Sequence, residues 1–105
     1  MHIQIIQFQL KDLTREDYAR LCNDLAPAFA ALPGLASKTW LASSETGTFG
    51  GVYVWEDRQA MEQFTKTDLF TAVATHPNLA GVTSRDFAVL EAPSRITRGL
   101  TPAAV

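Results

Sequence analysis

Four segments of this chain carry apolar residues on both parities of a two-residue repeat, and a sheet built from them is greasy on both faces. In Ile3–Leu10, Ile3 and Ile5 fall on one face and Ile6 and Phe8 on the other. In Phe49–Glu56, Val52 and Val54 oppose Tyr53 and Trp55. Leu35–Ser43 reads as a strand with Trp40 and Leu41 on opposite faces. Val82–Glu91 reads as another, with Phe87 and Val89 sharing a face.

Between the first two strands the period changes to 3.6. Thr14 suits a helix N-cap, Asp17 suits the positive end of the helix, and Leu13 and Tyr18 sit at the positions of a hydrophobic staple. Leu21, Cys22, Leu25, Phe29 and Leu32 continue one stripe. Pro27 removes a backbone donor and predicts a kink, and Pro33-Gly34 ends the helix. Ser43–Thr48, with Gly47, reads as a hairpin loop. Gly50-Gly51 would weaken an ordinary strand, so it predicts a bulge or the close approach of another chain.

Asp57 caps a second helix carrying Ala60, Met61 and Phe64. Thr67-Asp68 predicts a restart, after which Leu69, Phe70 and Val73 continue the stripe up to Pro77. The order is β-α-β-β-α-β, the ferredoxin-like α+β pattern with a four-stranded antiparallel sheet. Helices cover one face of such a sheet. The other face here is too apolar for water, so a C2 homodimer with two facing sheets is expected. Residues 1–92 read as one domain. Residues 93–105 read as an exit segment and tail, with Thr101–Val105 expected to be disordered.

Composition narrows the function. The chain has 105 residues and a net charge of −2 with the signs interspersed, so no basic face for nucleic acid is present. A single cysteine, Cys22, excludes an internal disulfide, and no Cys/His cluster predicts a metal. No apolar run approaches the ~20 residues of a membrane span. The N-terminal segment alternates and lacks the pattern of a signal peptide, so a cytoplasmic protein is expected. No nucleophile triad, phosphate loop or flavin fingerprint appears.

Particular residues carry a family resemblance. Pro33-Gly34 followed by Lys38-Thr39-Trp40, then Gly50-Gly51-Val52-Tyr53 with Asp57, and finally Phe87 to Glu91 with Pro93-Ser94-Arg95-Ile96 and Gly99, resemble the YdhR-like mono-oxygenases in order and spacing. The resemblance implies a dimeric α+β barrel related to the antibiotic-biosynthesis mono-oxygenases, whose known chemistry is cofactor-free oxidation of aromatic polyketides. It also implies kinship with haem-degrading enzymes, which carry an asparagine, a tryptophan and a ligating histidine. Here Gln7, Phe64 and Ala74 stand at those positions, so neither haem nor any other cofactor is expected.

The candidate site follows. Trp40, Tyr53 and Trp55 lie on neighbouring strands, with Phe64 on the helix above. They are candidate walls for a small aromatic substrate, or else core packing. Gln7 is a candidate for a substrate carbonyl. His76, whose pKa class lies near neutrality, is the candidate base. Lys38 reads as a surface lysine, and Cys22 as a small buried hydrophobe. The leading expectation is a mono-oxygenase for a small aromatic molecule. The alternatives are a non-catalytic ligand-binding module and a structural or stress-related dimer with a filled interior.

Overall fold

In a computed structural model, which describes residues 1–100, the elements follow the expected order. Strand β1 (His2–Leu10) leads into helix α1 (Arg15–Ala30). Strands β2 (Leu35–Ser43) and β3 (Thr48–Trp55) form the central hairpin. Helices α2 (Arg58–Phe64) and α3 (Asp68–Ala74) precede β4 (Leu79–Ala88), and a short helix α4 (Glu91–Ile96) follows. The antiparallel sheet has the strand order β2-β3-β1-β4. This is the ferredoxin-like arrangement. No helix among the described residues is long and apolar enough to cross a membrane.

The helix boundaries are set by side-chain caps. The hydroxyl of Thr14 accepts from the Asp17 N–H, the carboxylate of Asp57 from that of Ala60, and the hydroxyl of Thr67 from that of Phe70. The third cap separates α2 from α3, as the Thr67-Asp68 pair predicted. Helix α1 continues past Pro27 to Ala30. Only the last turn follows the proline, so one backbone bond is forgone and the helix does not end there.

Three expectations change. Strand β4 begins at Leu79, three residues before the predicted Val82, because Leu79 and Ala80 pair with Leu10 and Gln9 across a register shift. The segment after Pro93 does not begin a tail: α4 straddles the predicted 92/93 boundary, with Glu91 in its first turn and Arg95 in its last. Gly50-Gly51 is not a bulge. The β1–β3 register runs unbroken through it. A Cβ on Gly50, whose φ is +155°, would stand 1.9 Å from the Ile6 carbonyl oxygen. The close approach is therefore β1 of the same chain. The expected disorder at Thr101–Val105 lies outside the described residues.

The two faces of the sheet separate by parity. Ile6, Phe8, Phe49, Tyr53 and Trp55 are buried under the helices with Tyr18, Phe29, Met61 and Phe64. On the opposite face the pairs Ile3↔Val54, Ile5↔Val52 and Ile3↔Phe87 line up across three strands. None of the helices among the described residues packs on that face, and Phe87 is 53% exposed on it.

Candidate active site

The aromatic residues of the helix-covered face form one continuous group. Tyr53 stacks on Trp55 at 6.0 Å, and Phe64 closes on both, at 5.4 Å and 5.2 Å. Phe29 of α1 links this stack to Trp40, with ring centroids 5.3 Å apart and nearly perpendicular planes. The structure thus brings together Trp40, Tyr53, Trp55 and Phe64, but at different depths. Trp55 is 0% and Phe64 2% exposed, and both are sealed in the core. Trp40 is half-buried on edge strand β2 and forms a shared wall of two grooves of about 300 and 340 Å³. Tyr53 borders a small inner cavity of about 30 Å³ behind it, too small for more than a few waters.

The other two candidates lie elsewhere. Gln7 has the parity of Ile3 and Ile5 and pairs with Gly50 and Thr83, so it is exposed on the open face, away from the aromatic group. His76 lies just past α3 and lines neither of the two grooves nor the inner cavity. Its Nδ1 accepts the Asn78 N–H at 3.1 Å, which places the proton of the neutral ring on Nε2. In that tautomer the ring has no free lone pair to offer a substrate. At the positions corresponding to the haem-degrading enzymes, Ala74 offers no ligating atom, Phe64 is core and Gln7 faces away from the helices. These residues do not fit haem.

Two further polar residues lie on the helix-covered face. Gln4 shares the parity of Ile6 and Phe8 and is fully buried. Its carbonyl accepts the Trp55 indole N–H at 3.1 Å, and its amide donates to the Ser84 hydroxyl at 3.1 Å. It satisfies the one polar atom of the innermost aromatic residue, so its role is in the core.

The other is Lys38, expected at the surface. It lies two residues before Trp40, on the same face of β2, opposite Tyr53. Its Nζ sits 3.3 Å from the Phe29 ring centroid, 3.4 Å from that of Trp40 and 4.6 Å from that of Tyr53. Gly51 makes the room, since a Cβ there would come within 2.9 Å of Lys38 Cε. None of the ion pairs among the described residues engages Lys38. Burial pushes its amine down to about 7, and a negative charge on Cys22 would act the other way. Burial also raises Tyr18, Tyr53 and Cys22, so the neighbouring hydroxyls and thiol stay protonated at neutral pH. The result is an amine close to its titration midpoint at neutral pH, bordering both the inner cavity and the 340 Å³ groove.

The sequence model of one family, described as "Putative mono-oxygenase ydhR", matches residues 3–100. The chain belongs to the ydhR family. No curated protein matches it. Among solved structures, a protein of unknown function from Nitrosomonas europaea is 16% identical with a TM-score of 0.72, covering 87% of this chain and 90% of its own. SnoaB of Streptomyces nogalater, a cofactor-independent oxygenase, is 17% identical with a TM-score of 0.69, covering 86% and 93%. The haem degrader MhuD of Mycobacterium tuberculosis, solved with two haems in its active site, is 18% identical with a TM-score of 0.69, covering 86% and 96%. At these identities the likeness is one of fold. This ydhR-family chain therefore has the fold of the antibiotic-biosynthesis mono-oxygenases.

Proposed function

We propose that this ydhR-family protein is a cofactor-independent mono-oxygenase for a small hydroxylated aromatic molecule, acting as a homodimer. The observation that carries the reading is Trp40, an indole forming a shared wall of the two grooves on the helix-covered side, with Tyr53 and an unpaired amine beside it. Flat ring-lined grooves favour flat ligands, and the rings offer N–H and O–H handles at their edges. Trp55 and Phe64 support this wall from behind.

Cofactor-free oxygenation needs an electron-rich substrate anion. For an anthrone, loss of a proton from the methylene gives an enolate that reduces O₂. The methylene becomes a carbonyl, one oxygen atom enters the product and the other leaves as water. The protein contributes orientation, a desolvated surface and a proton acceptor. The Lys38 amine at the groove is the better-placed acceptor, because His76 would first have to release Asn78. Family membership and the likeness in fold to SnoaB support the reaction class.

The second copy is proposed to cover the open face. The row Ile3–Val54–Phe87 is apolar throughout, and the row Val52–Ile5 continues onto Arg85 of β4. An identical sheet laid on it would bury what the helices leave bare.

The reading is tested by oxygen uptake with a panel of anthrones and quinols at pH 7–8, with isotopic oxygen to follow incorporation. Uptake at least tenfold above the protein-free rate, with one labelled atom per product, is expected for at least one compound. Rates equal to the protein-free control across the panel would overturn it.

A further inference from the structure

The amine of Lys38 combines three features that the oxygenase reading does not require together. It is seated against three aromatic faces, with Nζ within 4.6 Å of the Phe29, Trp40 and Tyr53 centroids. It has no carboxylate partner among the ion pairs of the described residues. It borders a groove of about 340 Å³, large enough for a ring of benzene size, whose walls include the apolar side chains of Phe29, Leu35 and Trp40. The ring faces favour the ammonium, but burial beside a groove with no carboxylate partner opposes it more, and the neutral amine that results is a nucleophile facing an apolar groove.

We propose that Lys38 is a carbonyl-capturing residue that binds a small hydrophobic aldehyde in the Trp40 groove as an imine. The Nζ lone pair attacks the carbonyl carbon, the C=O electron pair moves to oxygen, and a proton passes from nitrogen to that oxygen. The carbinolamine then loses water to give C=N. The sum is amine plus aldehyde giving imine plus water, with no oxidant or reductant. Tyr53, opposite Lys38 in the β2–β3 register, borders the inner cavity and keeps its phenolic proton at neutral pH, so it does not compete for the carbonyl. Tyr18 and Cys22, the other titratable groups on the inner cavity, are likewise held protonated by burial and do not compete for the carbonyl.

The sequence provides its own controls. It contains three lysines, and Lys11 and Lys66 are exposed. An amine with its midpoint at about 7 is about half neutral at pH 7. An ordinary lysine at ~10.4 is neutral in roughly one part in 2500 at that pH. Lower basicity weakens the nucleophile and the groove restricts access, so the expected advantage is tenfold or more rather than a thousandfold.

The experiment uses the intact protein, benzaldehyde as probe and cyanoborohydride to reduce any imine, with peptide mapping of the three lysines. At pH 7, benzylation of Lys38 is expected to exceed that of Lys11 and Lys66 at least tenfold and to saturate with benzaldehyde concentration. The preference should shrink toward unity at pH 10, where all three amines are substantially neutral. Lys38→Arg should abolish the selective label and leave the other two unchanged. Labelling of Lys38 at or below that of Lys11 and Lys66 would overturn the proposal. Selective labelling that rises linearly without saturation would also overturn it, since that marks a reactive amine without a binding site. The mapping of the unaltered protein decides the question even if Lys38→Arg fails to fold, and it decides it whether or not the protein turns over an anthrone.

Discussion

Trp55→Ala is expected to remove most of the stability of this fold. Trp55 is 0% exposed, stacks on Tyr53 at 6.0 Å and packs against the tilted ring of Phe64 at 5.2 Å. Truncating a buried aromatic residue to alanine costs ~3–5 kcal/mol, including the cavity it leaves. The Gln4 carbonyl, which accepts the indole N–H at 3.1 Å, would also lose its partner inside the core. An orphaned buried acceptor adds ~1–3 kcal/mol. Against a total of ~5–10 kcal/mol for a domain of this size, the sum leaves little. Urea unfolding followed by circular dichroism should show the variant largely unfolded at 37 °C. Trp55→Phe, which keeps most of the packing and loses only the N–H, should fold with an intermediate midpoint. A Trp55→Ala loss below ~1 kcal/mol would mean that this stack is not the centre of the core.

Lys38→Met is expected to act in the opposite direction. In the folded chain burial lowers the amine to about 7, whereas the unfolded amine titrates at its ordinary, higher value. Between those two values the unfolded chain binds the extra proton, so wild-type stability rises with pH through this window. Below pH 7 the folded protein bears the full penalty of holding the ammonium on an apolar wall. Methionine keeps the length and the contact with the Phe29 and Trp40 rings without the charge. After allowance for partial solvation and for the ring faces, which favour the cation, Lys38→Met should be more stable by on the order of 2 kcal/mol at pH 6. The advantage should fade as the pH approaches 10. Taking the difference between the two proteins cancels the titrations of Tyr18 and Tyr53, whose shifts do not depend on Lys38; Cys22, which does feel the Lys38 charge, is held up by burial in both. If the variant is instead less stable at pH 6, the three rings hold Lys38 as a structural cation.

The parity of the strands was legible, and parity determined most of the fold. Ile6/Phe8 and Tyr53/Trp55 fall on the helix-covered face and Ile3/Ile5 and Val52/Val54 on the open one, as their period-2 spacing predicted. The caps at Thr14, Asp57 and Thr67 were legible because each places an oxygen three residues before an orphan N–H. The start of β4 was not, because Asn78–Gly81 carries turn-forming residues whose pairing with β1 depends on a register shift that no local signal announces. The site was legible in its rings and not in its polar groups. Gln7 has the open-face parity of Ile3 and Ile5, whereas Gln4, with the parity of Ile6 and Phe8, is the glutamine that enters the helix-covered side. Lys38 was given to solvent because a charged residue on an edge strand usually snorkels there. Two neighbours could have revealed it: Trp40, two residues on and on the same face, and Gly51, whose missing side chain leaves the space the lysine stem occupies.

Sedimentation equilibrium of the purified protein at low micromolar concentration bears most directly on the claim that a second copy closes the bare face of the sheet. The expected result is a single species of twice the 11.5 kDa chain mass, cooperatively folded, with dissociation and unfolding coupled on dilution. A stable, cooperatively folded species at the mass of one chain would contradict it.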